Sequence, residues 1–188
     1  MKYCSACGAT VSHKIPDGDH LPRYVCDQCA TIHYQNPRII AGCIAEWQDK
    51  ILLCRRAIEP RLGLWTLPAG FMENHETTLQ GALREAYEEA QAQIVNTSLF
   101  CMFNVPHISQ VYMLYRGELQ QGYSHPGIES LETALFSESD IPWDDLAFPV
   151  IRETLKLYYA DKSLGEFIVH TGDLIRDDNM KLSVTLHR

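Results

Sequence analysis

The segment "GFMENHETTLQGALREAYEEAQAQI", residues 70–94, is the most informative about the fold. It places several glutamates close together on a predicted helix, which is unusual because like charges oppose helix formation. Glu85, Glu88 and Glu89 lie three and four residues apart, where like charges oppose helix formation by roughly 0.2–0.5 kcal/mol per pair. The leucines and alanines of the segment recur at helical spacing and cluster on another side. The pattern predicts a helix over about 77–91 with one packed face and one acidic face. Without further context, a solvated acidic surface is the simpler interpretation of that second face.

The spacing of the charged residues in this segment resembles a known family signature. Gly70 is followed after five residues by Glu76 and, after seven more, by the run Arg84-Glu85-Ala86-Tyr87-Glu88-Glu89. This arrangement resembles the signature of the Nudix hydrolases, and every charged position matches. The resemblance implies that Glu85, Glu88 and Glu89 (the glutamate triplet) bind Mg²⁺ or Mn²⁺ together with the backbone carbonyl of Ala69. Hard divalent cations take oxygen ligands, and their charge offsets the repulsion among the carboxylates.

The resemblance also implies supporting roles within the segment. Arg84 lies one helical turn from Glu88 and is expected to orient its carboxylate, while Glu76 is expected to brace the preceding loop. Two positions depart from the family pattern, because His75 and Gln91 stand where the family usually has glycine. Glycine commonly ends a helix in a left-handed turn. The departures therefore concern the local course of the chain and leave the charged positions complete.

The likeness extends over residues 4 to about 160 and narrows to a subgroup. Together with a cysteine-rich start, "YQNP" (34–37), "LLCRRAIEPRLGLWTLPAGF" (52–71) and "GIESLETALFSESDIPWDDLAF" (127–148) resemble a subgroup that includes plastid FAD pyrophosphohydrolases and bacterial ADP-ribose pyrophosphatase-like proteins. NADH pyrophosphatases have a Ser-Gln-Pro-Trp-Pro-Phe-Pro stretch that "NVPHISQVYM" (104–113) lacks. Pro106 lies near a proline that ADP-ribose pyrophosphatases often have.

The resemblance implies magnesium-dependent hydrolysis of the pyrophosphate bond of a nucleoside diphosphate linked to another moiety. FAD, cleaved to FMN and AMP, is the first candidate, followed by ADP-ribose and then NADH. The general base is expected to be a glutamate of the signature or one of the loop acids Glu129 and Glu132. Arg55 or Arg56 could clamp a phosphate, and Trp65 could contact the substrate or simply pack in the core.

Two other classes of function remain open on the same residues. A non-catalytic nucleotide sensor usually has an eroded acidic signature, and the signature is complete here. An RNA-directed protein would need a basic, aromatic surface. The basic residues within 1–38 barely outnumber the acidic ones, which disfavours nucleic acid as a partner.

Four of the seven cysteines form two close pairs, Cys4-x2-Cys7 and Cys26-x2-Cys29 (the cysteine quartet). Two such pairs about 15–20 residues apart are typical of a zinc site. Four thiolates fill the tetrahedron, leaving no position for water, so the predicted Zn²⁺ is structural. An iron tetrathiolate and a redox dithiol are the alternatives. The other three cysteines lie among apolar neighbours and are expected to be small buried side chains.

Composition and length predict an α/β protein made of a small appendage and one ordinary domain. The chain has 188 residues, 46% of them hydrophobic and 21% charged, so it can bury a core. The boundaries are expected at 1–35 for the zinc ribbon, 37–165 for a Nudix α/β/α sandwich and 166–188 for a C-terminal tail of uncertain order.

Charge and hydropathy exclude several classes of partner. The formal net charge of −8 disfavours bulk binding to nucleic acid or anionic membranes. No apolar run is long enough for a transmembrane helix, and no secretory pattern begins the chain. These features and the free thiols predict a cytoplasmic protein with a small-molecule nucleotide substrate. Members of the family are often dimeric, so a homodimer remains open.

Apolar periodicity predicts the remaining elements. "RIIAGCIAEW" (38–47) and "KILLCRR" (50–56) predict a hairpin, and "QVYMLYRGEL" (110–119) predicts a further strand. "PVIRETLKLYYADKS" (149–163) predicts a closing helix. In the tail, "GEFIVH" (165–170) and "KLSVTLH" (181–187) predict strands on either side of the acidic stretch 172–179.

Overall fold

The chain folds into two compact units, Met1–Pro37 and Arg38–Arg188. The structure is a computed structural model that describes residues 1–177, 179 and 181–187. No helix in these ranges is long and apolar enough to cross a membrane.

The first unit is a three-stranded antiparallel sheet that brings the cysteine quartet together. Its strands are β1 Val11–Lys14, β2 Arg23–Cys26 and β3 Ile32–His33, with β2 in the middle. Each cysteine pair sits in a tight turn, closed by the hydrogen bonds from Gly8 N–H to the Cys4 carbonyl and from Ala30 N–H to the Cys26 carbonyl.

The four cysteine sulfurs of this unit have the spacing of a tetrahedral metal site. All lie within 4.8 Å of one another, and the Cys4–Cys29 and Cys7–Cys26 sulfurs are 3.7 and 3.5 Å apart. Zinc–sulfur bonds near 2.3 Å place tetrahedral sulfurs about 3.8 Å apart. The backbone N–H groups of Ala6 and Gln28 each point at a cysteine sulfur at 3.4 Å, as expected around thiolates. The quartet therefore fits the predicted structural zinc.

The second unit is built on a mixed sheet. Its strands are β4 Arg38–Trp47, β5 Lys50–Arg56, β6 Trp65–Thr66, β7 Ala69–Phe71, β8 Ile94–Val105, β9 Gln110–Leu119, β10 Ser130–Phe136, β11 His170–Arg176 and β12 Leu182–His187. Its helices are α1 Thr78–Ala90 and α2 Pro149–Leu164, with 3₁₀ turns at Pro106–Ile108, Glu138–Asp140 and Trp143–Asp145. The strand order is β10-β5-β4-β9-β8-β11-β12, with β6 beside β5 and β7 beside β4. The predicted hairpin, the strand at 110–119 and both predicted helices are present.

Two hydrophobic cores show that helices cover both faces of this sheet. Alternate residues of β4 and β5 point to opposite faces, so Ile44 and Leu53 pack with the buried residues of α2, whereas Cys43 and Leu52 pack with the alanines of α1. This arrangement confirms the predicted α/β/α sandwich.

The sheet splits between β4 and β5, and the segment that leads into α1 fills the split. The two strands pair only at their turn, through Glu46 with Ile51 and Trp47 with Lys50. Farther from the turn, β6 pairs with β5 and β7 pairs with β4. Gly42 makes the approach of β7 possible, since a methyl group there would overlap Ala69 and lie 2.6 Å from the Pro68 carbonyl oxygen. The split therefore brings residues 68–71 beside α1.

The 12-residue strand β8 was not predicted from the sequence. Its pairing with β9 shifts register between Val95 and Ser98 and again between Leu99 and Cys101. Each shift interrupts the alternation of inward and outward side chains, which is the signal used to recognise a strand.

The C-terminal segment belongs to the sheet, which corrects the expectation of a tail outside the domain. Strand β11 pairs in parallel with β8, and β12 pairs with β11. The strand predicted at 165–170 lies instead at 170–176, largely within the acidic stretch that was expected to separate the two predicted strands. Asp173 is accommodated there because Asn104 Nδ2 donates to it at 2.8 Å and His187 Nε2 lies 3.0 Å away. Residue 178 of that acidic stretch lies outside the described residues.

We expect the purified protein to contain one zinc ion per chain, because the quartet offers four converging sulfurs. Cys26→Ser should lose the zinc and aggregate or unfold the first unit, since the metal supplies much of the folding free energy of so small a unit. Cys101→Ser is the matched control and should retain zinc, because Cys101 is buried beside Thr154 in the second unit. Elemental analysis that finds iron, or less than about half an equivalent of zinc, would contradict this assignment.

Candidate metal and nucleotide site

Helix α1 positions the glutamate triplet and has well-defined ends. Thr77 caps the N-terminus in a reciprocal capping box with Gln80, which satisfies two backbone N–H groups. Three alanines on the buried side of the helix have no exposed surface (Ala82, Ala86 and Ala90). Close packing of these small side chains on the sheet fixes which side of the helix faces outward. The observed bounds agree with the predicted 77–91.

The two positions that lack the family's glycine adopt the left-handed conformation that glycine would favour. His75 has φ 71° and Gln91, the C-cap of α1, has φ 51°. The left-handed region costs a residue with a Cβ roughly 1–2 kcal/mol. The chain therefore follows the course expected of glycine at both positions, at a cost in stability.

Arg84 forms ion pairs with three carboxylates of the signature segment. Its Nε and Nη2 donate to the two oxygens of Glu76 at 3.0 and 2.8 Å, and its Nη1 donates to Glu85 at 2.8 Å and Glu88 at 3.0 Å. Nη2 also donates to the carbonyl of Phe71 at 3.1 Å. One guanidinium thus connects the helix, its leading loop and β7.

Glu76 holds the loop before α1 in place. Besides the two bonds from Arg84, it accepts the backbone N–H of Glu73 at 2.6 Å. These donors, Arg84 foremost, lower the pKa of Glu76 to about 2. The carboxylate is therefore charged at neutral pH and ties residues 73–76 to the middle of the helix.

Glu89 is a buried acid with few partners, which is the feature of the site most in need of a cation. Its side chain accepts the backbone N–H of Ala69 at 3.2 Å. Burial raises the pKa of Glu89 to about 8, and the charge of Glu85 acts in the same direction, against the opposing effects of the Ala69 N–H and Arg56. A divalent cation would reverse this effect and stabilise the charged form.

The backbone of Ala69 faces the same space as Glu89. Cys43 N–H donates to the Pro68 carbonyl and Met72 N–H to the Ile39 carbonyl, each at 3.0 Å. Because bonded positions alternate along an antiparallel pair, the N–H and carbonyl of Ala69 point away from β4. Its N–H meets Glu89, so its carbonyl is available on that side of β7.

Gly70 explains why the signature segment begins with glycine. A methyl group there would overlap the carboxylate of Glu85. The absence of a side chain lets β7 approach the helix face, so the backbone of 69–70 and the triplet share one space.

The glutamate triplet has the chemistry of a magnesium or manganese site. Glu85 is mostly buried, Glu88 is half-exposed and Glu89 is buried, and all three offer the carboxylate oxygens that hard cations prefer. Arg84 lies between Glu85 and Glu88. Within the described ranges, the cysteine quartet is the only group of three or more potential ligand residues whose ligand atoms all lie within 4.8 Å of one another. The donor set fits a divalent cation, and the buried charge of Glu89 calls for one.

The two loop acids occupy different surroundings. Glu129 lies two residues after Gly127, whose N–H bonds to the Glu89 carbonyl at 2.9 Å, and its charge adds slightly to the raised pKa of Glu85 and Glu89, for which burial is the main cause. Glu132 lies on β10 opposite Arg55, with its carboxylate 3.6 Å from the guanidinium. The structure thus brings Glu129 to the triplet and pairs Glu132 with Arg55.

The two candidate phosphate-binding arginines also differ. Arg55 pairs with Glu132 and donates from Nε to the carbonyl of Gly63 at 2.9 Å. Arg56 lies with its guanidinium 5.2 Å above the ring of Phe148 and is close enough to affect the pKa of Glu89. Of the two, Arg56 is nearer the glutamate triplet.

Trp65 was expected either to contact the substrate or to pack in the core. It is half-buried on β6, its ring meets Phe136 edge-on at 4.9 Å, and it packs against the α2-side core. Core packing therefore accounts for most of its contacts, and one part of the ring remains exposed.

The loop 120–129 reaches the end of α1, a contact that was not predicted from the residue pattern. Backbone N–H groups of His125 and Gly127 donate to the carbonyls of Ala90 and Glu89, each at 2.9 Å. Backbone contacts between segments so far apart leave no residue pattern, and of the two glycines in the loop only Gly127 marks the close approach to the helix backbone.

Comparison with known proteins agrees with this geometry. The family model described as NUDIX domain matches residues 36–157, and the one described as Nudix N-terminal, a zinc ribbon, matches residues 2–35. A NAD-capped RNA hydrolase, NudC, of Photobacterium profundum is 30% identical over 170 residues, which cover 86% of this chain and 61% of that protein. The chain spans about three fifths of the length of such curated relatives.

Solved structures show the same fold. A NUDIX hydrolase from Nitrosomonas europaea superimposes with a TM-score of 0.88 at 55% identity, covering 93% of this chain and 99% of that one. The NUDIX domain of Shewanella oneidensis NrtR, solved with ADP ribose, has a TM-score of 0.58 at 20% identity, covering 67% and 90%, which is a likeness of fold alone. Since the NUDIX model matches well over half of the residues and the acidic signature is complete, the chain belongs to the NUDIX family and has the family's N-terminal zinc ribbon.

Proposed function

We propose that this protein hydrolyses the pyrophosphate bond of a nucleoside diphosphate linked to another moiety, in a reaction that depends on Mg²⁺ or Mn²⁺. The observation behind the proposal is the glutamate triplet, in which the buried, weakly partnered Glu89 faces the backbone of Ala69. A non-catalytic sensor would not need a complete triplet with a buried acid, because each buried charge costs stability.

The residues of the site have distinct roles in this proposal. Glu85, Glu88, Glu89 and the Ala69 carbonyl would hold the divalent cation. When bound, that cation neutralises phosphate oxygens and lowers the pKa of a bound water for in-line attack at phosphorus. Arg84 fixes the carboxylates of Glu85 and Glu88 through Nη1.

The proton of the attacking water is assigned to Glu129 rather than Glu132. Glu129 lies close enough to Glu85 and Glu89 to influence both, whereas the carboxylate of Glu132 is occupied by Arg55 at 3.6 Å. A base must be within hydrogen-bond reach of the proton it accepts. Arg56 would bind a phosphate of the substrate, since its charge lies near the triplet.

FAD remains the first candidate substrate, on the resemblance of the segments 34–37 and 127–148 to FAD pyrophosphohydrolases. A specific observation favours a second candidate, because curated relatives are named as NAD-capped RNA hydrolases. Both substrates contain an adenosine half and a pyrophosphate, so the pockets beyond the triplet must distinguish them. Phe71, two residues after Ala69, is an exposed aromatic ring with Arg38 4.6 Å above it. Phe103, in contrast, is fully buried and is not available for a substrate.

Glu88→Gln and Glu89→Gln should each lower kcat by about 10²–10⁴-fold, because each removes an anionic ligand with little change in volume. The fold should be unaffected, and Glu89→Gln should not lower the melting temperature, since the raised pKa of Glu89 already favours the uncharged acid, which glutamine matches in size. Glu73 is an exposed acid in the loop that precedes α1. Glu73→Gln is therefore the matched control and should retain activity. Undiminished magnesium-dependent turnover in both variants would refute the assignment of the site.

Glu129→Gln should lower kcat by about 10²-fold or more if its carboxylate accepts the proton. Glu132→Gln, three residues along the same strand-loop junction, should change kcat by less than about tenfold, because it removes only an exposed ion pair. Steady-state kinetics at saturating substrate would decide between them. The opposite order of effects would transfer the role of base to Glu132.

A substrate panel with Mg²⁺ should identify the leaving half, with FAD, ADP-ribose, NADH and NAD-capped RNA compared by kcat/KM and the products separated by chromatography. FAD should have the highest value and yield FMN and AMP. A value for any other substrate more than about tenfold above that for FAD would transfer the assignment to it. If none is hydrolysed, the proposed activity itself fails.

A further inference from the structure

The last turn of α1 is electrostatically unfavourable as built. It contains Glu88 and Glu89 but no basic residue, and the C-terminal end of a helix is the negative end of its dipole. Acids at this end are repelled by the partial negative charge of the free carbonyls. A helix end of this kind tends to fray unless donors from elsewhere satisfy it.

Donors for this turn come from two places in the chain. Gln91 N–H bonds to the Tyr87 carbonyl at 2.7 Å and Ala92 N–H to the Ala86 carbonyl at 3.2 Å. Two of the remaining carbonyls, those of Glu89 and Ala90, accept N–H groups of Gly127 and His125 from the loop 120–129, each at 2.9 Å. The loop therefore supplies the positive partial charge that the helix end lacks.

Gly127 makes the closest approach between this loop and the helix. A methyl group on its Cα would overlap the carbonyl oxygen of Glu88 and lie 2.9 Å from its carbonyl carbon. Both atoms belong to the backbone and cannot rotate away. Gly127 has no left-handed φ, so close approach, and not backbone conformation, is the reason for glycine here.

The same loop ends beside the glutamate triplet. Ser130 N–H bonds back to the Gly127 carbonyl at 3.2 Å, and the Glu129 carbonyl accepts the N–H of Ala57 at 2.8 Å. Glu129 lies between these anchors, two residues after Gly127, whose N–H bonds to the Glu89 carbonyl at 2.9 Å. The position of Gly127 on the helix thus fixes where Glu129 stands.

We propose that Gly127 is a positioning residue of the metal site, which pins the helix turn bearing Glu88 and Glu89 and places Glu129 beside it. The proposal rests on the proposed function, because it takes the triplet to be the site of the divalent cation. It assigns to the loop a role in metal affinity in addition to any role in stability.

The test is a titration of the protein with Mn²⁺ in the absence of substrate. The concentration of free Mn²⁺ is measured by electron paramagnetic resonance. Gly127→Ala should weaken Mn²⁺ binding by roughly tenfold. Substitutions of residues that orient metal ligands without contacting the metal typically have effects of this size. Gly127→Ala should also raise the Mg²⁺ concentration for half-maximal activity by a similar factor. A role in stability alone would lower the melting temperature and leave both values unchanged.

Gly122→Ala is the matched control, since it makes the same substitution in the same loop. The three atoms nearest to a methyl group there belong to the side chain of Trp47 and not to the backbone of α1. Gly122→Ala should bind Mn²⁺ like the wild-type protein. If Gly127→Ala does not fold, His125→Pro removes the N–H that the Ala90 carbonyl accepts and should weaken Mn²⁺ binding in the same direction.

Glu88→Gln separates failure of this proposal from failure of the proposed function. If Glu88→Gln weakens Mn²⁺ binding while Gly127→Ala matches Gly122→Ala, the positioning role is wrong and the metal site stands. If Glu88→Gln binds Mn²⁺ like the wild-type protein, the triplet is not the metal site, and both proposals fall.

Discussion

The charge balance around Arg84 is the interaction on which the second unit depends. One guanidinium is bonded to Glu76, Glu85 and Glu88 and to the Phe71 carbonyl. Without it, three acids of one helix and its leading loop would face one another with little compensation. With it, the loop, the helix and β7 are fixed relative to one another. The site can therefore keep several carboxylates close together before any cation is considered.

The split sheet and the alanine face of α1 together bring the backbone of residues 69–70 close to the surface of α1. Because β4 and β5 pair only at their turn, residues 65–71 can enter the gap and present Ala69 to Glu89. Small residues at each contact allow this approach, namely Gly42 below β7 and Gly70 against Glu85. Larger side chains would add apolar burial but would move the backbone out of reach of the carboxylates.

Several residues at and near the site adopt arrangements that reduce the stability of the fold. Glu89 is buried with one N–H partner, His75 and Gln91 hold left-handed conformations without being glycine, and two acids end a helix. Strain and unbalanced charge of this kind cluster at functional sites because the surrounding fold over-determines them. The zinc ribbon follows a different logic, since its unit is too small to bury much surface and depends on the cysteine quartet instead.

The sequence by itself determined the features that are local in the chain. Spacing within 70–94 predicted α1 and its acidic face, and the two cysteine pairs predicted the metal-binding turns, because each pattern depends on residues only a few positions apart. The tertiary structure alone distinguished the two loop acids, since Glu132 lies on β10 paired with Arg55 whereas Glu129 precedes the bulge near the start of that strand. It also decided that β11 joins β8 and that Gly127 meets Glu88. These contacts join segments far apart in the chain through backbone hydrogen bonds, which any residue but proline can donate, so they leave almost no pattern in the sequence.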